Sequence, residues 1–319
     1  MTAEVTFAGQ IASAGFASGP VFVAEGPHAV AYRRRASPDL ELAALMDGIA
    51  RGSAATAELM ERAAGDAADI LEFQLAMLSD DTFPLAAKSL VEKGTAADEA
   101  WSTVLDAEIA SYESSEGEYF RARATDLSDI RDRVLAILRG DTAEAIPPGS
   151  IYVADDITPS RFLSHHWSTG GIALRRGSTT SHVAMLARQR GVPMIVGIGQ
   201  GAVESGAPGL LNAAMGQLVI HPRAEAKAAH LDLRMDFEQR AAVAATYLGK
   251  PARTADGYPI KILVNIGDPS DVEAIDVNHV DGVGLMRTEF LYNHGLPDEE
   301  SQYRAYRRVL EWARGKPVT

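Results

Sequence analysis

The residue whose neighbours best equip it for chemistry is His182, in Gly177-Ser-Thr-Thr-Ser-His182-Val-Ala-Met-Leu-Ala-Arg188-Gln-Arg-Gly191-Val-Pro193. Ser and Thr ahead of a helix accept hydrogen bonds from its free N–H groups. Val183, Leu186 and Ala187 then repeat at the spacing of one helical face. Gly191 supplies a C-terminal stop, and Pro193 leads into a strand. His182 is therefore expected in the first turn of a helix, beside unpaired N–H groups and the positive end of the dipole. Such a place favours an anion such as a phosphoryl group, and favours neutral imidazole, the nucleophilic form.

The elements that must hold this histidine follow from composition and pattern. The chain has 319 residues, enough for about two domains with real cores. Its net charge of -13 disfavours a binder of the nucleic-acid backbone, which needs clustered Lys and Arg. With Cys 0, a disulfide scaffold and a thiolate metal cluster are both excluded. No apolar run reaches the ~20 residues of a membrane span, and the N-terminal residues lack a signal-peptide pattern. A cytoplasmic protein is the expectation.

Residues 36–140 hold 9 basic and 21 acidic side chains, almost the whole net charge. This third reads as amphipathic helices over Leu40–Arg62, Asp66–Leu78 and Ala96–Leu138, broken near Ser79-Asp80-Asp81 and at Gly94. Its charge fits either a solvated face or a docking surface for a basic protein. Both flanks differ. Residues 5–23 alternate apolar and small residues, and strand patterns return at Ile151–Ala154, Gly171–Leu174, Pro193–Val196 and Leu218–His221. The economical arrangement is one α/β domain built from both flanks, with the helical third inserted. Pro222–Leu248 reads as a connecting helix. Beyond Asp256, an alternating strand through Ile260, Ile262 and Val264, a helix from Asp268 through Ile275, a strand Gly282–Met286 and a helix around Tyr303–Trp312 make the start of a βαβ succession.

The His182 string resembles the phosphohistidine segment of the Enzyme I family of the bacterial phosphotransferase system and of the pyruvate-phosphate dikinases. His182 matches the phosphorylated histidine, and Thr180-Ser181 the pair before it. The helical insert looks like the carrier-binding subdomain of Enzyme I, through Leu71-Glu-Phe-Gln-Leu-Ala-Met-Leu-Ser-Asp-Asp81 and the segment Gly117–Ile130. Asp155-Asp-Ile-Thr158-Pro-Ser160 matches a further family stretch. Asn265-Ile-Gly267 and Gly284-Leu-Met-Arg287-Thr-Glu-Phe-Leu-Tyr292 look like the opening of its phosphoenolpyruvate-binding barrel. Nothing here resembles the ATP-grasp domain that precedes the histidine in the dikinases, so Enzyme I is the better match. Two departures stand out. Ser178 occupies a usual Gly, and Phe162 a place where many relatives carry a Thr near the imidazole. That leaves Thr180 and Thr158 as candidates to orient the ring.

The resemblance implies a fold of the α/β plus all-α class. It comprises a swivelling phosphohistidine α/β domain (1–35 and 144–222), an inserted helical-hairpin carrier-binding domain (36–143), a linker helix (223–255) and the start of a (βα)8 barrel (256–319). It implies transfer of phosphoryl from phosphoenolpyruvate to His182 and on to the histidine of the carrier HPr, the first step of sugar uptake. Gly177, Thr180, Ser181 and Thr158 would support His182, and Arg287 would bind phosphoenolpyruvate. Asp66, Gln74, Met77, Asp80, Asp81, Phe83 and Arg123 would dock the carrier. Only 64 residues follow Ala255, too few for a ~250-residue barrel. The Mg2+ ligands are therefore expected outside this chain, with no metal site inside it. The chain alone is expected to be monomeric and competent only for exchange between His182 and the carrier, the intact enzyme dimerising through the barrel. Alternatives are a dikinase-related swivelling domain and a non-catalytic docking module regulated by phosphorylation.

Overall fold

The computed structural model describes residues 3–24, 31–63, 66–114, 118–141, 144–267, 269–288 and 297–319. Its residues group into two compact units, Met1–Arg234 and Met235–Thr319.

In the first unit, β1 (Val5–Ala8), β2 (Gln10–Ser13) and β3 (Phe16–Val23) precede five helices. These are α1 (Pro38–Met60), α2 (Asp66–Ser79), α3 (Thr82–Glu92), α4 (Ala97–Ser114) and α5 (Glu118–Arg139). Then come β4 (Ile151–Ala154), α6 (Pro159–Ser164), β5 (Gly171–Leu174), α7 (His182–Gln189), β6 (Met194–Val196), β7 (Pro208–Asn212) and β8 (Gln217–Ile220). All eight strands form one sheet in the order β1-β8-β7-β3-β4-β5-β6-β2. Strands from both sides of the helical insert are therefore interleaved, with β3 parallel to β4 in the middle. β4, β5 and β6 continue the parallel run, and their residues are almost all buried, as expected for strands covered on both faces. At Gly19 of β3 an added Cβ would lie 2.1 Å from the Gly149 carbonyl oxygen, so this approach admits no side chain.

The helices pack around their own core of Leu45, Ile49, Trp101, Leu105, Leu127 and Val134. The sequence reads Ala96–Leu138 as one helix; the structure holds α4 and α5 as a packed pair instead. Residues 115–117 between them lie outside the described ones. Gly48 and Gly52 on α1 let α5 approach, because a Cβ on either would stand 3.1 Å from the Leu138 or Val134 side chain. In the first turn of α1, the buried Glu41 carboxylate accepts from the Tyr32 hydroxyl (2.5 Å), the Arg35 amide (2.5 Å) and the Ala97 amide (2.9 Å). That knot fixes where the chain enters the insert.

α8 (Ala224–Ala245) begins in the first unit and runs on in sequence into the second. The second unit contains the two-residue strands β9 (Ala252–Arg253) and β10 (Pro259–Ile260), the parallel pair β11 (Leu263–Ile266) and β12 (Gly282–Met286), and α9 (Glu299–Ala313). The expected helix from Asp268 through Ile275 is a 3-10 helix over Pro269–Ala274. Val318 bridges Val283 in parallel, continuing the succession that the sequence announces.

Candidate functional site

His182 opens α7. Ser181 caps the helix, its hydroxyl accepting from the Ala184 amide at 3.2 Å. The loop before it turns at Gly177, whose φ of +102 lies in the left-handed region that disfavours side chains. Arg188, one helical face along, donates from its guanidinium to the carbonyls of Ala12 (2.8 Å) and Thr179 (2.9 Å). One side chain thereby ties the loop to β2. Thr180 pairs with the Ser178 hydroxyl at 2.8 Å, so the serine at this departure from the family pattern braces the loop internally.

The imidazole faces the helical insert. Its Nδ1 lies 3.1 Å from Oδ1 of Asp126 on α5, and Asp126 is fully buried. An ionised carboxylate only accepts, so this contact places the ring proton on Nδ1 and leaves the in-plane lone pair on Nε2. Burial pushes the Asp126 carboxyl up, against the opposing pull of His182 and Arg123. Arg123 stands 3.3 Å from the other carboxylate oxygen, and its guanidinium lies over the Phe73 ring, 4.1 Å from its centroid. The site is thus an imidazole from α7 with a buried carboxylate and a guanidinium from α5 in a row, the guanidinium lying over Phe73 of α2.

A second buried carboxylate locks these elements. Asp129, one turn on from Asp126, accepts from the Ser160 amide (2.9 Å), the Ser160 hydroxyl (2.5 Å) and the Gln74 side-chain amide (3.0 Å). Arg133 pairs with it at 3.4 Å and donates to Gln74 at 3.0 Å. The network joins α2 and α5 of the insert to the start of α6.

Several sequence expectations stand differently here. Thr158 caps α6 by accepting from the Arg161 amide at 3.3 Å, and Thr180 pairs within its own loop. The partner described for the His182 ring is Asp126, which no motif singled out by residue. Phe162, at the other departure, is fully buried and stacks on Trp167 with centroids 5.6 Å apart, so it fills core. Gln74, expected on a docking face, is fully buried in the Asp129 network because its amide satisfies two charged groups. Met77 and Phe83 are half-buried against the helical core. Asp80 and Asp81 are exposed, and Asp80 accepts from the Thr82 amide at 2.7 Å as α3 begins. Asp66 starts α2, but its side chain falls outside the described residues. Arg123 faces Asp126. Arg287 is exposed just past β12, its amide donating to the Ile266 carbonyl at 2.9 Å, in the other unit from His182. The Glu289–Tyr292 part of its string lies outside the described residues.

Among the described residues no group of three or more His, Cys, Asp or Glu side chains is placed to hold a metal ion. No described helix is long and apolar enough to cross a membrane.

Comparison with known proteins identifies three family models along the chain. They are the PEP-utilising enzyme N-terminal domain over residues 8–123, the mobile domain over 146–216 and the PEP-binding domain over 241–319. The chain is similar to proteins named phosphoenolpyruvate-protein phosphotransferase. It is 33% identical to that of Geobacillus stearothermophilus over 330 residues, covering 99% of this chain and 57% of the relative. It is 30% identical to that of Bacillus subtilis over 321 residues, covering 96% and 56%. The chain thus spans a little over half the length of these curated relatives. A solution structure of Enzyme I matches 73% of the chain and 99% of its own with a TM-score of 0.59 at 23% identity. The N-terminal domain of a nitrogen-type Enzyme I matches 71% and 98% with a TM-score of 0.51 at 21% identity. Those two likenesses concern the fold. The three models in this order, together with the curated relatives, show that the chain belongs to the PEP-utilising enzymes, in the Enzyme I family.

Proposed function

We propose that His182 carries a phosphoryl group between phosphoenolpyruvate and the active histidine of an HPr-type carrier protein. The whole enzyme is a phosphoenolpyruvate-protein phosphotransferase serving sugar uptake in the cytoplasm. The observation that carries this reading is the His182–Asp126 hydrogen bond at a capped helix start. With the proton held on Nδ1, the Nε2 lone pair attacks phosphorus in line. The P–O bond to the enol oxygen breaks, and pyruvate leaves as its enolate. In the second step the carrier imidazole attacks the same phosphorus, the P–Nε2 bond breaks and the pair returns to Nε2. Positioning and charge neutralisation dominate such transfers. Asp126 orients the acceptor ring, and the α7 N-terminus favours the phosphoryl oxygens.

The domain partition proposed on this reading follows the sequence: phosphohistidine domain 1–35 and 144–222, carrier-binding helices 36–143, linker 223–255 and phosphoenolpyruvate-binding part 256–319. Gly177, Thr180, Ser181 and Thr158 shape the His182 surroundings. Arg287, exposed after β12, suits a bidentate grip on the phosphate of phosphoenolpyruvate. Asp66, Met77, Asp80, Asp81, Phe83 and Arg123 form the carrier-facing set, while Gln74 supports it from inside. Mg2+ would neutralise the phosphoenolpyruvate charge, and the described side chains offer no cluster for it, so the steps above use the chain's own groups. The test is to mix the chain with a radiolabelled phospho-carrier. Acid-labile label on the wild type, lost in His182→Ala, is the expected result; no label on the wild type refutes the exchange.

A further inference from the structure

A cavity of about 590 Å3 lies away from His182, between the outer face of the β3–β7 pair and the first turns of α8. Its size is that of a small-molecule site. Alternation along the strands explains its floor. Ala17, Val21 and Leu211 point into the sheet core, so Ser18, Pro20 and Leu210 face the other way, toward α8. Its wall is a basic stripe. Lys227, His230 and Arg234 recur three and four residues apart, on one side of the helix. Among the described residues no carboxylate lines the cavity, in a chain whose net charge is -13.

His230 lines the same wall. It is 9% exposed, packs edge-on against Phe16 with centroids 5.3 Å apart, and its Nε2 is buried with no hydrogen-bond partner among the described residues. Burial, with Arg234 nearby, pushes the imidazole below its usual value, so at neutral pH it is an uncharged hydrogen-bonding group between two cations.

We propose that this cavity binds a small organic anion, an oxyanion head held by Lys227 and Arg234 with an apolar body against Pro20, Leu210 and Leu231. The occupant braces the first turns of α8 against the sheet. The site shares no residue with the phosphoryl-transfer site, so its test stands or falls independently of that reading.

Calorimetric titration of the full 319-residue chain with phenyl phosphate, benzoate and phenol decides the matter. Phenyl phosphate or benzoate binds saturably, phenol at least about tenfold more weakly, and the stronger of the two anions identifies the head group. The Lys227→Gln/Arg234→Gln double variant, altered at two exposed positions, weakens the anion by about tenfold or more while keeping the wild-type circular dichroism. The His230 imidazole resonances shift with the anion in the wild type and not in the double variant. Three outcomes overturn the proposal: no saturable binding of either anion up to about 10 mM, phenol binding equally well, or undiminished binding in a folded double variant.

Discussion

Asp126 is the residue on which the proposed chemistry turns. Its pKa is raised by burial, so it takes up a proton at a higher pH than an ordinary carboxyl. Protonated, it donates to the imidazole, the ring proton moves to Nε2 and the nucleophilic lone pair is lost. Transfer from a phospho-carrier, followed as a function of pH, therefore falls as pH drops through that raised value. Asp126→Asn shifts this acid limb and slows transfer on the order of 10²-fold. An unchanged limb in the variant would count against the pair. His182 itself was legible because a capped helix start and a phosphohistidine string are contiguous in sequence. Asp126 was not, since it lies 56 positions away and the contact exists only once α5 packs beside α7. The same blindness put Gln74 on a docking face. An amide on a helix looks like surface until the two charged side chains it satisfies are seen around it.

At the scale of elements, two buried carboxylates carry most of the specific geometry. Asp129 joins the insert to α6, so Ser160→Ala removes a hydroxyl bond and leaves the carboxylate under-satisfied. Urea unfolding is expected to show a loss of about 1–3 kcal/mol. Glu41 works the other way round from Asp126. Burial raises its pKa, but the bonds from Tyr32, Arg35 and Ala97 outweigh that and hold it below the usual carboxylate range. Its contribution to stability is present above the ordinary value and lost as pH falls through the depressed one. Glu41→Gln should therefore lower stability at neutral pH and flatten its decline on acidification, which thermal melts across that range check. Strands β4, β5 and β12 were legible as short apolar runs between turn residues. β7 was not, because Pro208-Gly-Leu-Leu-Asn opens on two residues that strands disfavour and lacks alternation. In the sheet its proline stands at the first strand position, where it is tolerated, and Gly209 makes room for Val21 and Ile151. That α4 and α5 are separate helices escaped because the apolar spacing of one carries on in the other.

Across the whole molecule the negative charge concentrates in the helical insert, yet not all of it faces outward. Glu41, Asp126 and Asp129 are buried and paired, whereas Asp80 and Asp81 remain exposed. A basic carrier steered by those exposed acids should associate about tenfold or more slowly when salt rises from ~0.05 M to ~0.5 M. Stopped-flow mixing measures this, and Asp80→Asn/Asp81→Asn should shallow the salt dependence. The central claim, that Nε2 of His182 is the phosphoryl acceptor because Asp126 holds Nδ1, has a direct test in nitrogen and phosphorus NMR of the chain after incubation with phospho-carrier. The expected result is a single phosphohistidine with phosphorus bonded to Nε2 of His182, discharged when unphosphorylated carrier is added. Phosphorus on Nδ1, or on any other residue, would contradict it.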